Sequence, residues 1–135
     1  MKVVVDTNVL LISINPTSRL NLIFRKAITG NYNLCISNSI LLEYEEVFQS
    51  KINPKLADAA IAALIYSPFV LRFDPRISWK LIVADPDDDK FTDCAIAANV
   101  DYLVSNDRHF NVLNQTRFPK LQLISAEDFL QIISM

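Results

Sequence analysis

The sequence predicts an α/β protein, a three-layer α/β/α sandwich around a mainly parallel, roughly five-stranded sheet. Three observations carry this. Apolar runs of strand length recur at residues 3–5, 34–36, 70–73, 102–104 and 121–124. Segments with apolar residues at helical spacing lie between them. Strands that alternate with helices in this way close by right-handed crossovers into a largely parallel sheet.

The first run, Lys2-Val3-Val4-Val5, is uniformly apolar after its first residue, as a strand buried in a parallel sheet has to be. From residue 21 to 29, Leu22, Ile23, Ala27 and Ile28 recur at helical spacing, and Gly30 supplies the stop. Residues 39–49 carry Ile40, Leu41, Tyr44, Val47 and Phe48 on one side of a second helix. Asn53 as a cap and Pro54 in the first turn start an alanine-rich helix over 55–66. A fourth clear helix begins near Pro86 or Asp87 and runs through Phe91, Ala95, Ile96 and Ala98 to about Asn99, its alanines allowing close approach to the sheet. A shorter turn or helix follows Arg108, and residues 126–134 form a closing helix capped by Ser125. The helix pair between the second and third strands exceeds what a minimal crossover needs, as a projecting arm or an oligomer surface would require.

At 135 residues the chain fits one domain, 1–135, large enough to bury roughly two thirds of its unfolded surface. Its 51% hydrophobic and 21% charged residues are the composition of a globular chain and leave little room for disorder. Apolar stretches such as 9–14 and 61–65 are too short to span a bilayer, and Met1-Lys2 leads straight into a strand rather than a signal-peptide core. The expected setting is cytoplasmic, with no membrane partner. Cys35 and Cys94 lie in apolar segments without metal-type spacing and read as buried free thiols.

The net charge of −2 provides no global positive field, which counts against a passive RNA or DNA binder. It counts less against a metal-dependent nuclease, whose acidic site lowers the net charge while bound cations restore attraction for phosphate. The chain holds one glycine, Gly30, so the glycine-rich cradles of dinucleotide and P-loop sites are excluded.

Candidate chemistry lies in the acids. Asp6 follows the first strand, and in open parallel sheets ligands bind outside the carboxyl ends of the strands; capping a helix is the alternative role for an Asp so placed. Asp85, Asp87, Asp88, Asp89 and Asp93 put five aspartates into nine residues. Capping and the helix dipole account for Asp85, Asp87 and Asp88. They do not account for Asp93, which falls about two turns into the helix beside Cys94-Ala95-Ile96. Asp89 lies four residues earlier on the same face, so this pair is either solvated or shares a cation. Asp107 ends the run Tyr102-Leu103-Val104-Ser105-Asn106-Asp107, which resembles the opening strand in design, and Ser105 and Asn106 are placed to orient acids or to form the turn. Glu43 follows Ile40-Leu41-Leu42 soon after the second strand, near the same edge. Clustered carboxylates need cations, and oxygen-only donor sets suit Mg²⁺ or Mn²⁺. Such an ion activates water for phosphodiester hydrolysis without a protein nucleophile.

These residues resemble the PIN-domain family, in particular its VapC-like toxins of prokaryotic toxin–antitoxin pairs, over nearly the whole chain. The carriers are Val5-Asp6-Thr7-Asn8, Ser39-x-x-Leu42-Glu43-Tyr44, Asp89-x-x-x-Asp93-Cys94-Ala95-Ile96-Ala97-Ala98 and Val104-Ser105-Asn106-Asp107. The resemblance implies a metal-dependent endoribonuclease whose acids fall on Asp6, Glu43, Asp93 and Asp107, with Asp89 an additional candidate ligand and Ser105 and Asn8 in support. It also implies Mg²⁺ or Mn²⁺, an RNA substrate, a homodimer and a small antitoxin that covers the site. His109, the sole histidine, reads as a surface loop residue, with a general-acid role as the alternative.

Two other readings are open to the same residues. A non-catalytic interaction domain could retain the fold. An Asp-dependent phosphatase also places Asp at strand ends, but it wants a second Asp two positions after the first, where this chain has Asn8.

Overall fold

Val3, Val4 and Val5 are fully buried at the centre of the sheet, where a strand covered on both faces can hold only apolar side chains. The computed structural model describes residues 1–135. Its strands are β1 (Lys2–Val5), β2 (Asn33–Ile36), β3 (Leu71–Arg72), β4 (Tyr102–Val104) and β5 (Leu123–Ile124), in the order β3-β2-β1-β4-β5. Every pairing is parallel, with Val3 opposite Leu34 on one side and Tyr102 on the other. The expected α/β architecture is present, and the sheet, expected to be mainly parallel, is parallel throughout. The two edge strands are shorter than their apolar runs, because each pairs along one side only.

The helices are α1 (Thr7–Ile14), α2 (Asn21–Thr29), α3 (Asn38–Lys51), α4 (Pro54–Tyr66), α5 (Asp89–Ala98) and α6 (Ala126–Ser134). The β1→β2→β3 crossovers and the β3→β4 return run in opposite directions across the sheet, so right-handed connections put their helices on opposite faces. Side chains cap the helices where the sequence places them: Asn53 Oδ1 accepts the Leu56 N–H at 2.8 Å, and Ser125 Oγ accepts the Asp128 N–H at 3.1 Å. The start of α3 lies slightly earlier than its apolar pattern, with Ser37 as the cap. Helix α1 has no counterpart in the sequence pattern, because Val9, Leu10, Leu11, Ile12 and Ile14 are apolar nearly all round and show no amphipathic period. The pair α3 and α4 does not project: α4 packs on α3 and touches α2, burying Ala57, Ala60, Ile61 and Leu64.

One hydrophobic cluster of 33 buried residues joins these layers. Cys35 and Cys94 belong to it as free thiols, and burial pushes their pKa up to about 11 and about 12. Gly30 ends α2 with φ +93°, and its N–H donates to Lys26 O. A Cβ there would sit 2.6 Å from the Phe69 ring. Gly30→Ala is therefore expected to cost about 1–2 kcal/mol for the left-handed backbone alone, read as a lowered Tm in a thermal melt. No helix is long and apolar enough to cross a membrane.

Candidate active site

The chain order reverses at β1, whose neighbours are β2 and β4, and this makes the carboxyl ends of β1 and β4 the crevice of the sheet. Asp6 leaves β1 there and is 5% exposed. Its Oδ1 caps α1 by accepting the Val9 N–H at 3.0 Å, and its Oδ2 accepts the Ser105 hydroxyl. Ser105 Oγ also accepts the Asp107 N–H at 2.9 Å, so one buried hydroxyl ties the acid after β1 to the turn that carries the acid after β4. Asn106 forms the next part of that turn, its Oδ1 accepting the Ala126 N–H at 2.9 Å. A cleft of about 240 Å³ opens beside Asp6, lined by Asn8, Val9, Ile12, Asn106 and Asp107.

Glu43 reaches the same place from α3. The Tyr44 hydroxyl donates to Val5 O, anchoring α3 to the last residue of β1, and Tyr44 stacks on Phe48 with ring centroids 5.8 Å apart. Glu43 Oε2 then accepts the Thr7 hydroxyl, and Oε1 pairs with Lys90 Nζ at 2.8 Å. Burial pushes the Asp6 carboxyl above its ordinary pKa; the bonds from Ser105 and Val9 oppose this, and the charges of Asp107 and Glu43 add to it.

The fourth acid at this edge is Asp88 rather than Asp93. Residues Pro86–Asp88 form a 3₁₀ turn before α5 begins at Asp89. Burial and then the charges of Asp85, Asp107, Asp6 and Glu43 push the Asp88 carboxyl up to about 6. Its Oδ2 is buried without a hydrogen-bond partner. His109 Nδ1, also buried and unpartnered, lies 3.8 Å from that oxygen and 3.5 Å from Asp107 Oδ1. Donor atoms of Asp85, Asp88 and His109 all fall within 4.8 Å of one another. His109 is thus part of the acidic edge, not a detached loop residue.

Asp89 and Asp93 do share one face of α5, but that face meets the segment between β3 and α5. Asp93 Oδ1 accepts the Trp79 N–H at 3.0 Å and Asp89 Oδ1 accepts the Ile82 N–H at 2.8 Å. Asp93 lines a separate cleft of about 420 Å³ with Phe73, Arg76, Trp79 and Ile96. The pKa of its carboxyl is raised by burial, opposed by the Trp79 bond, and raised further by the charge of Asp89. The expected set Asp6, Glu43, Asp93 and Asp107 is therefore only partly brought together. Sequence spacing places Asp89 and Asp93 on one helix face, but which face meets the crevice depends on the 3₁₀ turn that precedes α5.

The PIN domain family pattern matches residues 2–109. The chain belongs to the PIN-domain family. A solved structure, VapBC2 from Rickettsia felis bound to a DNA fragment from their promoter, is similar to this PIN domain at TM-score 0.64 and 18% identity. The match covers 93% of this chain and 98% of that one. No curated protein matches the sequence.

The residues at the crevice of this PIN domain fit a divalent cation. The donor atoms that converge are two carboxylates and one imidazole nitrogen, from Asp85, Asp88 and His109, with the charges of Asp107, Asp6 and Glu43 beside them, and Asp88 Oδ2 is a buried acceptor without a hydrogen-bond partner. A proton competes for the same oxygen. In the metal-free protein the folded state holds the Asp88 proton more tightly than the unfolded chain, because the pKa rises from 3.8 to about 6. The contribution of Asp88 to stability thus falls as pH rises through that window. The metal-free Tm is expected to be higher at pH 5 than at pH 7 by a margin that Asp88→Asn reduces. Affinity for Mn²⁺ is expected to change in the opposite sense, falling toward pH 5 in a calorimetric titration.

Proposed function

We propose that this PIN domain is a metal-dependent endoribonuclease, acting in the cytoplasm as the toxin of a toxin–antitoxin pair. The observation that carries the reading is the gathering of Asp6, Glu43, Asp88 and Asp107 at the switch point of a parallel sheet, with one buried carboxylate oxygen left free. Asp6, Asp88 and Asp107 would hold Mg²⁺ or Mn²⁺. When bound, the ion supplies a Lewis acid that lowers the pKa of water and offsets charge on a phosphodiester. The chain's own residues set the geometry. Ser105 fixes the Asp6 carboxylate and the Asp107 turn together, Thr7 and Lys90 fix Glu43, and Asn8 stands on the rim of the cleft where substrate would enter.

Hydrolysis by water fits this site better than covalent attack, since both cysteines are buried with thiols held in the neutral form. Asp89 and Asp93 take a positioning role, holding the backbone at Ile82 and Trp79. The structural similarity to a VapBC2 complex supports a small antitoxin as partner, and the homodimer we assign rests on the family resemblance alone. Purified protein with Mn²⁺ and generic single-stranded RNA tests the reading. Cleavage that stops on chelation is expected; absence of both cleavage and calorimetric Mn²⁺ binding would favour a non-catalytic interaction domain.

A further inference from the structure

The acids at the crevice are not equivalent. Both oxygens of Glu43 are engaged by the chain itself, Oε1 by the Lys90 ammonium at 2.8 Å and Oε2 by the Thr7 hydroxyl. The two side chains of the ion pair are largely shielded, at 25% and 23% exposure. Lys90 stands in the first turn of α5, where the helix dipole opposes a cation and where a lysine ordinarily extends its head into water. Its ammonium instead turns inward onto Glu43, whose charge acts on both Asp6 and Asp88. On the other side of the cluster Asp88 Oδ2 has no partner, and Asp107 Oδ1 accepts only the backbone N–H of His109.

We propose that Lys90 is a resident cation of this centre, occupying its Glu43 side so that the site takes a single divalent ion on the side of Asp6, Asp88 and Asp107. Two-metal sites place their ions roughly 4 Å apart with carboxylates between them, and an ammonium in contact with Glu43 repels a second ion from that position. Lys90 is a positioning residue in this arrangement: it holds the Glu43 carboxylate and presents positive charge to a bound phosphodiester. The inference rests on the metal-dependent reading above.

The test is the number of Mn²⁺ ions bound per full-length chain, counted by isothermal titration calorimetry and by electron paramagnetic resonance of free Mn²⁺. Wild type is expected to bind one ion, Lys90→Gln two, and Lys90→Arg one, with circular dichroism confirming the fold of each. Two ions on the wild type, or one on a folded Lys90→Gln, would overturn the role of Lys90 and leave the metal-dependent reading standing. No Mn²⁺ on the wild type would overturn both. If Lys90→Gln does not fold, Lys90→Met replaces it, and the wild-type stoichiometry still separates one ion from two.

Discussion

Asp6→Asn is expected to lower RNA cleavage by at least about 10²-fold while leaving the protein folded. The two consequences separate because the carboxylate does two jobs. As an N-cap, Asp6 needs an oxygen to accept the Val9 N–H, and the amide oxygen of Asn serves as well. Toward Ser105 the amide presents N–H₂ in place of an acceptor, and the hydroxyl, which has two lone pairs, turns to accept it while still taking the Asp107 N–H. The charge is what the substitution removes. Burial first, and then the charges of Asp107 and Glu43, raise the Asp6 pKa, so neutralising it relieves a desolvation cost and some repulsion in the metal-free protein. The expected outcome is an inactive variant with a metal-free Tm equal to or above that of wild type, measured by initial cleavage rates beside thermal melts. A variant that is inactive because it has unfolded would not support the assignment, and a folded variant with undiminished cleavage would remove Asp6 from the site.

The second large effect is an asymmetry between two aspartates of one segment. Asp88→Asn is expected to reduce cleavage on the order of 10²-fold, because Asp88 is the acid whose free oxygen faces Asp107 and His109. Asp93→Asn is expected to keep cleavage within a few-fold of wild type, since its carbonyl oxygen can still accept the Trp79 N–H. Asp93→Ala removes that acceptor and should cost about 1–2 kcal/mol of stability, read as a shifted denaturation midpoint, again with activity largely retained in the folded fraction. The reverse outcome, with Asp93→Asn inactive and Asp88→Asn active, would restore the set that spacing and family resemblance favour.

Part of this site is written in local sequence and part arises only from tertiary structure. The central strand was legible because a run of three valines buried on both faces admits no other reading, and α2, α4 and α6 were legible because Gly30, Asn53-Pro54 and Ser125 are local chemistry whose effect does not depend on the rest of the fold. Asp6 and Asp107 followed from their strands. Helix α1 was hidden, since an apolar helix covered on several sides carries no period. The place of Asp88 at the crevice was hidden for a different reason: as an acid in a first turn it is indistinguishable from a cap, and the 3₁₀ geometry that brings it there is a tertiary outcome. Lys90 gave no signal in sequence and His109 only the alternative of a general acid, because a lysine beside aspartates and a histidine after a turn are ordinary surface residues until the sheet brings Glu43 and Asp88 to them. A hydrogen-bonding residue at position 7, directly after the first acid, was the one available hint of how Glu43 is held.

The proposed divalent cation belongs at the carboxyl ends of β1 and β4. Anomalous diffraction from crystals grown with Mn²⁺ tests it most directly. The expected result is one anomalous peak bounded by the carboxylates of Asp6, Asp88 and Asp107, with Glu43 still on Lys90. A peak seated between Asp89 and Asp93, or no peak at Mn²⁺ concentrations that support cleavage, would contradict it.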